Sequence, residues 1–159
     1  MDGNTKIKVT SRVNGIVSLS LSSRSFKREW RAKNQAVLIP FEVLEEAIYD
    51  PGFINMINQG ILTIDNMEAC IELGLEPDGA TKPVNHPVYD DTELRRLLNV
   101  ATVNDFEEHL QKMPDEAKRS LAEMAIALKV RDGNKMALIQ KYQNIDVNKA
   151  MLLDMAMEN

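Results

Sequence analysis

The side chains with the most chemical content sit in one short stretch. Residues 23–33 place Arg24, Lys27, Arg28, Arg31 and Lys33 around two aromatics, Phe26 and Trp30, the latter the sole tryptophan of the chain. Cations interleaved with aromatic rings can form a surface for phosphates and stacked bases. Two other readings fit the same pattern. Phe26 and Trp30, four residues apart, can be core aromatics whose neighbouring cations only solubilise the surface. Alternatively, the guanidinium groups can pair with carboxylates on a neighbouring protein, or on another copy of this one. The net charge of −5 weighs against simple nucleic-acid binding, because most of the chain repels phosphate. The expected partner-binding residues are therefore Arg24, Lys27, Arg28, Trp30, Arg31 and Lys33, with protein as the partner and nucleic acid as the alternative.

Other groups with reactive chemistry do not converge in the sequence. His86 lies in a proline-rich stretch and His109 among Glu107, Glu108 and Gln111, without the paired spacing a metal site needs. Both read as solvated. Glu45-Glu46 and Glu107-Glu108 are adjacent in sequence only, since neighbouring helical residues point about 100° apart. Glycine-rich phosphate loops, nucleophile elbows and calcium loops are not found. Cys70, the single cysteine, lies in the apolar stretch 67–75 and reads as a small buried hydrophobe. The expectation is a non-enzymatic protein with no catalytic residue, metal or cofactor.

Charge is distributed unevenly. From Met1 to Pro40 eight basic residues oppose only Asp2 and Glu29, a net of about +6, which leaves about −11 for the rest of the chain. This describes a basic, strand-patterned head on an acidic, helix-patterned body, with two different outer surfaces.

The elements that must position these residues follow from periodicity. Ile7, Val9 and Val13 alternate with Lys6, Lys8, Thr10 and Arg12; Val17, Leu19 and Leu21 alternate with serines. Asn14-Gly15 between them predicts a type I′ turn and an antiparallel hairpin. Residues 36–39 predict a buried strand ended by Pro40, which also starts a helix through Phe41, Leu44, Ala47 and Ile48. Asp50-Pro51-Gly52 breaks that helix, and a short helix at 53–58 stops at Gly60 in a left-handed cap. Residues 61–64 predict another strand, and the alternation of Met67, Ala69, Ile71 and Leu73 a fifth. Residues 76–91, with Pro77, Gly79, Pro83 and Pro87, read as a linker or an ordered excursion.

From Asp91 onward the spacing is helical. Asp91 or Thr92, Asn104 or Asp105, Pro114 and Asp146 are candidate helix starts, and Asp132-Gly133-Asn134 a separator, giving five short helices. The chain of 159 residues, 44% hydrophobic and 27% charged, is expected to be α+β. The predicted organisation is a β-rich basic module over 1–75, a linker over 76–91 and a helical module over 92–159. The first module is a small antiparallel or mixed sheet with two short helices, the second a bundle. Nine methionines against eight aromatics make an adaptable core, and Met151, Met155 and Met157 can also face a partner.

Residues 5–75 resemble the N-terminal modules of small virion-associated proteins of large tailed bacteriophages. The likeness is one of layout. It rests on Asn14-Gly15, Arg28-Glu29-Trp30-Arg31, Val37-Leu38-Ile39-Pro40, the Glu45-Glu46 helix, Tyr49-Asp50-Pro51-Gly52 and Ile61-Leu62-Thr63-Ile64. It implies a capsid-auxiliary, head–tail or tail accessory protein, with no catalytic residue to carry over. The expected location is a virion, or the cytoplasm if the protein is not viral. No apolar run approaches the roughly 18–20 residues that span a bilayer. The start of the chain lacks the apolar segment of a secretion signal.

Overall fold

The computed structural model describes residues 1–157; positions 158–159 of the expected helical module lie outside them. The fold is α+β, strands first and helices after, and the chain divides into two compact units, Met1–Val88 and Tyr89–Asn159.

In the first unit β1 (Lys6–Ser11), β2 (Val17–Leu21), β3 (Phe26–Trp30) and β4 (Ala36–Pro40) precede α1 (Phe41–Ala47) and α2 (Pro51–Gln59). β5 (Leu62–Ile64) and α3 (Met67–Glu72) follow. The strands form two antiparallel sheets, one in the order β4-β1-β5 and one of β2 with β3. The hairpin expected at Asn14-Gly15 is not made: β1 does not pair with β2. Both edges of β1 are taken, by β4 with Ile7 opposite Ile39 and by β5 with Val9 opposite Ile64. Gly15 has φ +99°, but Asn14 is not among the positive-φ residues, so the type I′ turn is absent as well. The tight hairpin joins β2 to β3 through a 3-10 turn at Ser22–Arg24 and Ser25 in the left-handed region at φ 50°.

Residues 67–73, expected as a strand, form α3 and its C-cap, Leu73, instead. The Asn66 side chain accepts the Ala69 N–H at 2.9 Å and caps the helix. Ala69, Cys70 and Leu73 are buried, a helical spacing that outweighs the alternation of the sequence. Gly60 ends α2 in the left-handed region at φ 79°, as its position predicts. The core gathers Ile7, Leu19, Trp30, Ile39, Leu44, Phe53 and Leu62. Residues 76–88, within the expected linker, group with this unit.

The charge reversal at Pro40 falls inside the first unit. Residues 41–88 hold nine acidic residues against Lys82, about −8, whereas Tyr89–Asn159 hold thirteen against ten basic, about −3. Most of the acidity that answers the basic head thus lies in the same unit, not in the helical module. Part of it is paired there: Arg12 Nη2 with Asp65 Oδ1 at 3.6 Å, and the Met1 amine with Glu72 Oε2 at 2.9 Å.

Among the described residues the second unit holds the expected five helices: α4 (Asp91–Asn99), α5 (Val103–Lys112), α6 (Asp115–Ala127), α7 (Gly133–Gln143) and α8 (Val147–Met157). Asp90, Thr102 and Asp132 accept backbone N–H groups at the starts of α4, α5 and α7. Asp90 caps one or two residues before the expected start, and Thr102 two or three. Leu94, Leu97, Phe106, Leu110, Leu121 and Ile139 make the core.

Candidate docking surface

The basic segment is the β2–β3 hairpin, and alternation along β3 splits its side chains. Lys27 and Glu29 lie across from Ser20 and Ser18 on one side; Phe26, Arg28 and Trp30 lie across from Leu21, Leu19 and Val17 on the other. Trp30, expected at the partner surface, is wholly buried, and its Nε1 donates to the Val9 carbonyl oxygen at 2.9 Å. It belongs to the core, because the side of β3 it occupies packs onto the first sheet's apolar residues.

Arg24 is turned back onto its own unit. Its Nε donates to Glu46 Oε1 at 2.5 Å and its Nη1 to Glu42 Oε1 at 3.1 Å, while Ser23 Oγ donates to Glu46 Oε2 at 3.1 Å. The hydrogen bond to Glu46 raises the Arg24 pKa, and Arg24 in turn lowers that of Glu46.

Lys27, Arg28 and Arg31 remain exposed. Glu29 lies between two of them, 3.8 Å from Lys27 Nζ and 3.3 Å from Arg31 Nη2. The Arg31 side chain is 75% exposed, so this pair is easily exchanged for another carboxylate. Arg28 is held in place: its Cζ sits 4.5 Å above the centre of the Phe26 ring and its Nη1 donates to the Lys27 carbonyl at 2.8 Å. These contacts are made on an exposed residue. Lys33 is partly buried.

Three polar sites elsewhere were not visible in the sequence. Glu76, its side chain 1% exposed, accepts the N–H groups of Val84, Asn85 and His86 at 2.8, 2.9 and 2.9 Å. Burial pushes its pKa up, but the three N–H donors outweigh that and hold the carboxyl below its ordinary value. His86, expected as solvated, is partly covered, with Nε2 2.9 Å from Asn58 Oδ1.

Lys135 is 3% exposed and donates from Nζ to the carbonyls of Leu97 and Leu98 at 2.7 and 3.1 Å, closing the C-terminal end of α4. Burial lowers its pKa. His109, also expected as solvated, has Nδ1 3.0 Å from the Tyr89 hydroxyl and Nε2 3.5 Å from Asp105 Oδ1. Burial raises the Tyr89 phenol, and Glu93 and Asp105 add to the shift, so it stays protonated and fastens the start of α4 to α5.

Cys70 is buried, and burial together with nearby Glu76 pushes its thiol up to about 11. Among the described residues, no group of three His, Cys, Asp or Glu side chains is placed to hold a metal ion. No helix among them is long and apolar enough to cross a membrane.

No protein-family model, curated protein or solved structure matches the chain.

Proposed function

We propose that this protein is a non-enzymatic structural or adaptor subunit of a larger assembly, a bacteriophage virion component in the reading its layout suggests, docking through the basic hairpin. The observation that carries this reading is Arg28: an exposed arginine whose guanidinium already rests against the Phe26 ring and the Lys27 carbonyl. A preordered planar fork loses little entropy on taking a partner carboxylate in a bidentate contact, which lysine cannot copy. Arg31 and Lys27 flank it and share the half-buried Glu29. Protein is favoured over nucleic acid as the partner because the stacking platform is withdrawn. Trp30 is buried and Arg28 covers Phe26.

The test is incorporation. Gradient sedimentation of a native lysate should find the chain with high-mass particles. Arg28→Glu with Arg31→Glu should leave a folded protein that no longer co-sediments, and lysine at both positions a partial defect. Sedimentation only at the mass of the free protein, or normal incorporation of the folded double-glutamate variant, would overturn the reading. Tight, steeply salt-dependent binding to DNA would replace it with the nucleic-acid alternative.

A further inference from the structure

α8 has more apolar surface than its own unit covers. Val147 is buried and Met151, one turn on, packs against the core, yet Leu152, Leu153 and Met157 are 68%, 59% and 86% exposed. A helix apolar on nearly every side is ordinarily covered on every side. Two exposed charges, Lys149 and Asp154, stand among these residues.

Their spacing is self-complementary. Lys149, Leu153 and Met157 follow one another at four-residue steps, and Ala150 with Asp154 at the same step beside them, so the five share one face of α8. Two such faces opposed antiparallel, with the two-fold axis between Met151 and Leu152, bring Lys149 of each copy against Asp154 of the other. Ala150 then meets Leu153. A two-fold contact uses the same patch twice, so the patch must complement itself, which this one does in charge and in size.

We propose that α8 pairs antiparallel with α8 of a second copy of this chain. This names one neighbour of the assembly subunit proposed above and rests on that reading. An 11-residue helix is about 16 Å long, so the contact falls below the roughly 1,200 Å² of a standard interface. The dimer is therefore weak and forms with rising concentration.

Analytical ultracentrifugation of the purified full chain tests the pairing. The wild type should shift from monomer to dimer as concentration rises toward about 1 mM. Lys149→Asp and Asp154→Lys should each weaken the dimer by about tenfold or more, since each places like charges opposite one another. The double exchange, Lys149→Asp with Asp154→Lys, should restore it. Leu153→Glu should abolish it, with circular dichroism showing α8 retained in every variant. A monomer at every concentration would overturn the proposal, as would single reversals without effect or a double exchange that fails to rescue. Because this assay uses the isolated protein, its failure leaves the incorporation test standing; a failed incorporation test would likewise leave the dimer measurable.

Discussion

Trp30 donates its indole N–H to the carbonyl oxygen of Val9 across 2.9 Å, and both residues are wholly buried. This bond ties the β2–β3 hairpin to the central strand of the first sheet, so the ring of the sole tryptophan is structural. Trp30→Phe should leave the Val9 oxygen unpaired and a gap beside it, costing about 2–4 kcal/mol in denaturant melts. In the wild type, tryptophan emission should be blue-shifted and resist acrylamide quenching. A solvent-exposed emission spectrum would contradict the placement.

Glu76 is the fastener of residues 76–88. Glu76→Gln keeps the shape but loses the charge-assisted bonds, which should cost about 1–3 kcal/mol at neutral pH. The folded carboxyl titrates below its unfolded value. Its contribution is therefore full above the unfolded pKa of about 4.3 and fades as pH falls through the lower folded value. The gap between wild type and Glu76→Gln should close in melts carried below that range. A gap independent of pH would show that the charge is not what matters.

The same clasp bears on proteolysis. A cut between Gly79 and Lys82, leaving a folded fragment that begins near residue 90, is the outcome expected of an open linker. With Glu76 gripping residues 84–86, the wild type should be cut there slowly by proteinase K and Glu76→Gln several times faster. Equal rates would mean that the carboxylate does not hold the segment.

Gly15 and Asn14 should now part company. Gly15, at φ +99°, should lose about 1 kcal/mol on mutation to alanine, whereas Asn14→Ala should leave the melting temperature nearly unchanged. Equal losses at both positions would restore a type I′ turn.

Lys135→Met keeps the apolar stem but leaves the Leu97 and Leu98 carbonyls without their donor. The expected cost is about 1–3 kcal/mol, with faster amide exchange at the end of α4. Because burial lowers the folded pKa of Lys135, the unfolded chain binds the proton more tightly. This residue's contribution to stability should therefore rise with pH in the alkaline range, until the unfolded value of about 10.4 is passed. A wild-type advantage over Lys135→Met that does not grow with alkaline pH would contradict this.

Local sequence was enough for the elements whose signals are local. The spacing of Leu94, Leu97 and Leu98, of Phe106 and Leu110, and of Leu121 and Ala125 marks helices of the second unit, because a helix closes its own hydrogen bonds and needs only one apolar stripe. Gly60 could be placed as a left-handed cap for the same reason. Cys70 as a buried thiol also followed from its apolar neighbours.

Long-range pairing decided the rest. Alternation at Lys6–Ser11 specifies a strand with one buried face, but a strand's hydrogen bonds lie in other segments, and here Ala36–Pro40 and Leu62–Ile64 supply them in place of Val17–Leu21. Met67–Glu72 alternates like a strand, yet the Asn66 cap and burial of Ala69 with Leu73 made it a helix. In the candidate site Lys27, Arg28 and Arg31 were recognisable as surface cations, while the inward turn of Trp30 and the capture of Arg24 by Glu42 and Glu46 were not. Which side of β3 faces the core depends on the sheet it packs against. The partners of Arg24 lie on a helix about twenty residues away, and no local pattern encodes such a distance.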